Sequence, residues 1–396
     1  MTVFQDAGYR RLWASGLCVN VARWMDLVTL GWLALQLTGS PFMVAVAAFA
    51  RAAPMMVLGP FTGIIADRVS RGHLLLVTQA GNATVAVALA TLFGAGAGAY
   101  APLVALELAF GMLWSLDFPA RRTALFSMLG ASRVAQAVSL ETVSMQIAKM
   151  GGPLIAGACL ARLGPAACYG VMATVALAGF VVSLGLQHRI EAPRAARASS
   201  SLAATLASGL HAAWESGIVR AVLLITIAMN VLFFPYQHML PVFARDVLAG
   251  GPTTLGALVA ADGLGSLAGA LAIAAYHGRL AHGRLFATAV LVAPFILVAF
   301  SASRSLASCL AFMVVIGVAE SGFAAMQSTL VLLAAPAHAR GGAMGILSAC
   351  IGTQPLGTLA IGALAGTLGA PRAFALNAIV ALAAIVPLAV PLVRRR

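Results

Sequence analysis

Gly63-Ile64-Ile65-Ala66-Asp67-Arg68-Val69-Ser70-Arg71-Gly72-His73 is a short charged connection between two long apolar runs. It returns in weakened form 211 positions later: Pro41, Arg68, Gly72 and Leu74 correspond to Pro252, Arg279, Gly283 and Leu285, with basic residues at both Arg71/His282 and His73/Arg284. A charged connection that recurs at half the chain length between apolar runs marks a duplicated helical bundle. Such bundles move solutes by rocking one half against the other. The repeat shows elsewhere too. Asn20-Val21 matches Asn230-Val231, 210 residues on, and Gly152, Gly157 and Leu163 match Gly357, Gly362 and Leu368, 205 residues on. One glycine match means little in a chain with 40 glycines; agreement on nearly one offset is the evidence.

Composition puts the chain in a membrane. Hydrophobic residues make up 61% and charged residues 9%, against roughly a quarter charged in soluble proteins. A helix crosses about 30 Å of hydrocarbon in roughly 20 residues. Twelve such runs are expected, at 11–37, 42–66, 74–96, 101–125, 134–162, 165–187, 219–243, 253–277, 284–302, 305–333, 342–368 and 371–393. The fold class is therefore an all-α polytopic membrane protein with twelve transmembrane helices in two pseudo-symmetric six-helix bundles, 1–187 and 218–396. The linker 188–217 is polar and cytoplasmic, and Ser201 to Trp214 is suited to lie as an amphipathic helix on the membrane surface. The fifth-to-sixth and eleventh-to-twelfth connections are short enough for tight antiparallel hairpins.

The net charge of +13 suggests nucleic acid until its distribution is read. With the N-terminus in the cytoplasm, 17 of the 24 Lys and Arg fall in cytoplasmic segments, four outside and three within spans. That is the positive-inside rule with both termini cytoplasmic, as expected of a multi-pass protein of the plasma (inner) membrane with no nucleic-acid partner. The first apolar run is long, follows two arginines and has no small-residue cleavage site, so it reads as a retained span. The five cysteines lie in spans without metal-ligand spacing and read as packing residues. No cofactor or metal is expected.

The Gly-x-x-x-Asp-Arg-x-x-Arg pattern from Gly63 to Arg71 resembles the signature loop of the major facilitator superfamily. Trp32 to Pro41 and Phe234 to Asp246 look like its enterobactin-exporter and macrolide-efflux branch, and Gly151 to Gly157 is similar to its antiporter-associated Gly-Pro motif, with Ala148 where a glycine is usual. The resemblance implies a twelve-span transporter with the solute path between the halves, lined by spans 1, 4, 7 and 10, and efflux more often than uptake. It also implies that Asp67 caps the start of span 11, while Gly63 permits close helix approach. Arg71 or Arg68 would pair with Asp117 to hold the inner side shut.

Ionisable groups inside a span cost roughly 2.5–3.5 kcal/mol each on insertion scales, so each is a functional candidate. Arg23 and Asp26 share one face of span 1, with Asn20 one turn below. The alternatives there are a static neutralised pair and a proton or cation site at Asp26. Glu107 reads as a local residue nearer the outer surface. Asp262 and Glu320 are further candidates for proton or ion coupling. Arg51 and Asp262 are repeat equivalents. In the family's arrangement, Lys149 reaches similar depth to Asp262, and an ion pair that opens and closes with transport is expected. Asn20, Arg23, Trp24, Asn230, Tyr236, His238 and Gln327 are the candidate cavity residues.

The expected function is a secondary active transporter that couples protons to export of a small amphipathic molecule, such as a drug, siderophore or lipid-like metabolite, working as a monomer. Uptake, or facilitation without coupling, is the alternative on the same fold. No Walker loop is present, so ion gradients are the expected energy source; a membrane-embedded enzyme is the remote alternative, because no His-Glu-x-x-His, Gly-x-Ser-x-Gly or catalytically spaced carboxylate pair is present.

Overall fold

A computed structural model describes residues 3–68, 70–186, 210–211, 214–276, 281–336 and 339–394. These are helical almost throughout. The first helix, α1, runs Ala7–Thr38, after a 3-10 turn at Val3–Gln5. Asp6 caps it, its carboxylate accepting from the backbone N–H of Gly8 at 2.7 Å and of Tyr9 at 3.1 Å. Gly39 ends it in the left-handed region at φ +66°, where a side chain would be strained. Then follow α2 (Pro41–Arg68), α3 (Arg71–Gly94), α4 (Tyr100–Arg162) and α5 (Gly164–Ser183).

The fourth helix holds two expected spans in one unbroken hydrogen-bonded run of 63 residues. It cannot be straight. Arg122 and Glu141 form an ion pair at 3.6 Å, whereas 19 residues of straight helix would part them by about 28 Å. The N-terminal end of α1 touches both sides of the bend: Arg121 Nη1 donates to the Leu12 carbonyl at 2.9 Å, and Tyr9 Oη donates to that of Ala137 at 3.3 Å. Two antiparallel arms therefore carry spans 4 and 5, as read from sequence, and helical geometry persists through the turn. Burial and the neighbouring Glu141 push the Tyr9 phenol up to about 12, so it stays a donor at physiological pH.

In the second half, α6 (Gly217–Ala228) passes into a π-helical turn at Met229–Phe233, and α7 (Tyr236–Asp246) restarts after Pro235. Proline lacks an N–H and its ring displaces the carbonyl four residues earlier, here Val231, which widens the turn. The chain continues as α8 (Pro252–Tyr276), α9 (His282–Ala302), α10 (Leu306–Ala334), α11 (Arg340–Ile351), α12 (Gln354–Leu368) and α13 (Ala370–Arg394). Span 11 is thus α11 plus α12, broken at Gly352-Thr353. Both hairpins expected to be tight have one-residue connections, Leu163 and Gly369. Positive φ at Gly164 (+82°) and Gly369 (+79°) makes them possible.

Ten segments among the described residues are long and apolar enough to cross a membrane, against the twelve expected. The other two, 11–37 and 134–162, are helical but carry Arg23 and Asp26, and Glu141 and Lys149. Their charged residues make them less apolar than their neighbours, and one of these charges, Asp26, belongs to the site below.

Two compact units divide the chain: residues 1–196 with 250–260, and residues 197–249 with 261–396. The internal repeat has a physical counterpart in each. In the first, the Cα of Gly152 lies against the Val21 carbonyl, so that a Cβ there would stand 3.0 Å from it. In the second, Gly357 lies against the Val231 carbonyl more closely still. Asn20 and Asn230 each donate to the carbonyl one turn back, Gly16 and Thr226, both at 2.9 Å. Residues matched by offset alone make matching contacts.

A candidate ion site in the first unit

Three charged side chains from three helices converge inside the first unit. Asp26 on α1 is 2% exposed and Glu107 on α4 is fully buried. Between them lies Arg51 of α2, its Nη1 2.6 Å from Asp26 Oδ2 and 3.0 Å from Glu107 Oε2. Tyr169 of α5 donates its hydroxyl to Glu107 Oε1 at 3.5 Å. Gly111, one turn beyond Glu107, permits the approach of α4 to α2: a Cβ there would run into the Arg51 carbonyl and Pro54. Asp26 Oδ1 is buried without a hydrogen-bond partner among the described residues. The set thus has two carboxylates and one guanidinium.

Arg23 and Asp26, for which a static pair is one of the two alternatives, have different partners. Asp26 meets Arg51, while the Arg23 guanidinium lies 4.1 Å from the centre of the Trp114 ring on α4 and 5.9 Å from that of Trp24. The flat cation on an indole face gains about 0.5–2 kcal/mol. A side chain three residues along the same helix is near, but an arginine entering from another helix can approach the carboxylate end-on. Glu107, read as a local residue nearer the outer surface, is one of the two carboxylates that Arg51 bridges. The Lys149 Nζ lies 5.4 Å from the Trp24 ring. A cavity of about 30 Å³ opens beside the cluster, lined among others by Val19, Arg23, Asp26, Arg51, Asn82 and Trp114.

Nearer the start of α1, Asp117 has partners other than those expected. Arg121 Nε and Nη2 each donate to its carboxylate at 3.1 Å, and Thr78 Oγ1 donates at 3.0 Å. Arg121 Nη1 also donates to Ser15 Oγ at 2.9 Å. Arg121 sits one turn along the same helix and holds Asp117 by a two-pronged bond, while the expected pairing of Asp117 with Arg68 lies outside the described residues. Arg71 is half-buried in the first turn of α3. The side chains of Gly63, Asp67 and Arg68 lie outside the described residues, and the cap expected of Asp67 lies there with them.

The second unit gathers polar groups at equivalent positions with different chemistry. Tyr236, 210 residues after Asp26, donates its hydroxyl to Glu320 Oε1 at 3.3 Å, and Gln237 Nε2 donates to the same oxygen at 3.0 Å. Asp262, the equivalent of Arg51, is 1% exposed and accepts from Ser266 Oγ at 3.5 Å. Gly317 lies against the Asp262 carbonyl as Gly111 lies against that of Arg51. Gln327 is buried about two turns beyond Glu320 on α10, and His238 is half-buried in the first turn of α7. Gln237 was missed in the sequence; its place beside Tyr236 gave no periodic signal.

The helices, the repeat and the buried ions are those of a solute carrier, and a comparison with known families agrees. The family described as transmembrane secretion effector, within the major facilitator superfamily, matches residues 1–395. The chain belongs to that family. This major facilitator transporter is 24% identical over 368 residues to the multidrug efflux pump Tap of Mycolicibacterium fortuitum, covering 91% of this chain and 90% of that protein. It is 25% identical over 371 residues to Tap of Mycobacterium tuberculosis, covering 88% and 85%. A crystal structure of the peptide transporter POT superposes with a TM-score of 0.77 at 12% identity, over 98% of this chain and 94% of that one. At that identity the likeness to POT is one of fold. The protein is a multi-pass membrane transporter, and neither its family nor its fold is that of an enzyme.

Proposed function

We propose that the protein exports small amphipathic molecules in exchange for protons, by alternating access of its two halves, from a cytoplasmic membrane with both termini inside. The observation that carries the reading is the buried Asp26–Arg51–Glu107 cluster. With two carboxylates and one guanidinium, gain or loss of one proton switches it between neutral and singly charged. In a low-dielectric interior that change is costly enough to favour a different arrangement of helices. Asp26 is the first proton-carrying group in this reading, with Glu107 its partner. Glu320 and Asp262 form the second set, and solute passes near Asn20, Asn230, Tyr236, His238 and Gln327. Export, rather than uptake, is favoured by the relatives named as multidrug efflux pumps. The test is purified protein in proteoliposomes under an imposed pH gradient, with a panel of amphipathic compounds of each charge. Gradient-driven movement of at least one compound supports the reading; none moving, with the gradient intact, overturns it.

A further inference from the structure

We infer that Arg23 and Asn82 form a binding site for one compact anionic group, in the cavity that Asp26 and Arg51 of the ion cluster also line. This deepens the reading above and rests on it, since it takes the cavity of the first unit to be one that solute reaches.

Three observations meet there. Arg51 is held by two carboxylates, at 2.6 and 3.0 Å, and Arg23 by none: its contacts among the described residues are the faces of Trp114 and Trp24. An arginine within a membrane span is ordinarily paired with an acid or with backbone carbonyls, and this one is held edge-free on an aromatic plane. Stacking leaves the donor edge of a guanidinium open, because the ring takes only its face. Second, Asn82 of α3 lines the same cavity, and its amide has no hydrogen bond among the described residues, so it adds a donor. Third, the cavity of about 30 Å³ has room for about two waters, or for one carboxylate or halide. An open donor edge, a second donor and room for a small group describe an anion seat. The seat would take the carboxylate of an amphipathic solute whose apolar part lies elsewhere, or a free halide. Both meet Arg23 through the same chemistry.

The test uses full-length protein in lipid nanodiscs, at fixed pH and equal ionic strength. Tryptophan fluorescence and the thermal midpoint are followed against benzoate, benzyl alcohol, benzylammonium and chloride. Benzoate is expected to bind and to raise the midpoint while the alcohol and the ammonium do not. Arg23→Gln is expected to weaken benzoate binding by about 10-fold or more, as befits losing one charge-assisted contact. Arg23→Lys should keep part of it, and Asn82→Ala should weaken it less than Arg23→Gln. Benzoate binding without chloride binding assigns the seat to a solute carboxylate; equal binding of both, lost together in Arg23→Gln, assigns it to a free anion. No anion binding by the wild type, an equal response to benzylammonium, or undiminished binding by Arg23→Gln overturns the inference. Should Arg23→Gln not fold, the charge preference of the wild type and the Arg23→Lys and Asn82→Ala variants decide it. A wild type that moves solute on a pH gradient but shows no charge preference sinks this inference and leaves the transport reading standing. Anion binding without gradient-driven movement does the reverse.

Discussion

Asp26 on α1 and Arg51 on α2 stand 2.6 Å apart in the interior of the first unit, and Arg51 reaches on to Glu107 at 3.0 Å. One guanidinium joins three helices at mid-span. Removing it leaves two buried carboxylates facing each other, and breaking a buried pair costs about 3–5 kcal/mol. Arg51→Met is therefore expected to lower the thermal midpoint in detergent more than the triple change with Asp26→Asn and Glu107→Gln. A single change as mild as the triple would show that the ions do not hold the helices together.

Arg121 is 5% exposed and bonded to Asp117 by two prongs. Asp117→Asn should destabilise by about 3 kcal/mol, since it leaves a buried charge without its acid. Arg121→Lys should also destabilise, because a point charge cannot bond both carboxylate oxygens and the Leu12 carbonyl at once. Both are read from unfolding midpoints. An Arg121→Lys protein of wild-type stability would contradict the geometry.

The glycine contacts differ in closeness, and the difference sets an order. A Cβ at Gly357 comes nearer the Val231 carbonyl than the 3.0 Å that one at Gly152 would have from Val21. Overpacking costs about 1–3 kcal/mol, so Gly357→Ala should lower stability more than Gly152→Ala. The reverse order in a thermal-melt comparison would tell against the shared geometry of the two repeats.

The ion pair expected between Lys149 and Asp262 is a question for a double-mutant cycle. A pair of that kind predicts that Lys149→Ala alone reduces transport or stability more than the double change with Asp262→Ala, since a stranded buried acid costs about 3–5 kcal/mol. Equal damage from single and double would dismiss the pair.

Much of the fold was legible because it is written in lengths and repeats. Apolar runs give the helices, and the offset between Asn20-Val21 and Asn230-Val231 matches residues that turn out to make equivalent contacts. The ion cluster was only half legible. Asp26 stood out as a charge in a span, yet its partner lies 25 residues away and Glu107 lies 81 away. Their meeting depends on the close approach of α2 and α4 at Gly111, and no periodicity reports how two helices cross. Arg121 did carry a signal, its position one turn after Asp117 on a helix.

Proton exchange at Asp26 is tested most directly by gradient-driven transport in proteoliposomes, comparing wild type with Asp26→Asn for a compound the wild type moves. With the pH gradient imposed, wild-type movement should run uphill, and Asp26→Asn should carry the compound only toward equal concentrations. Uphill movement by Asp26→Asn at the wild-type rate would contradict the account.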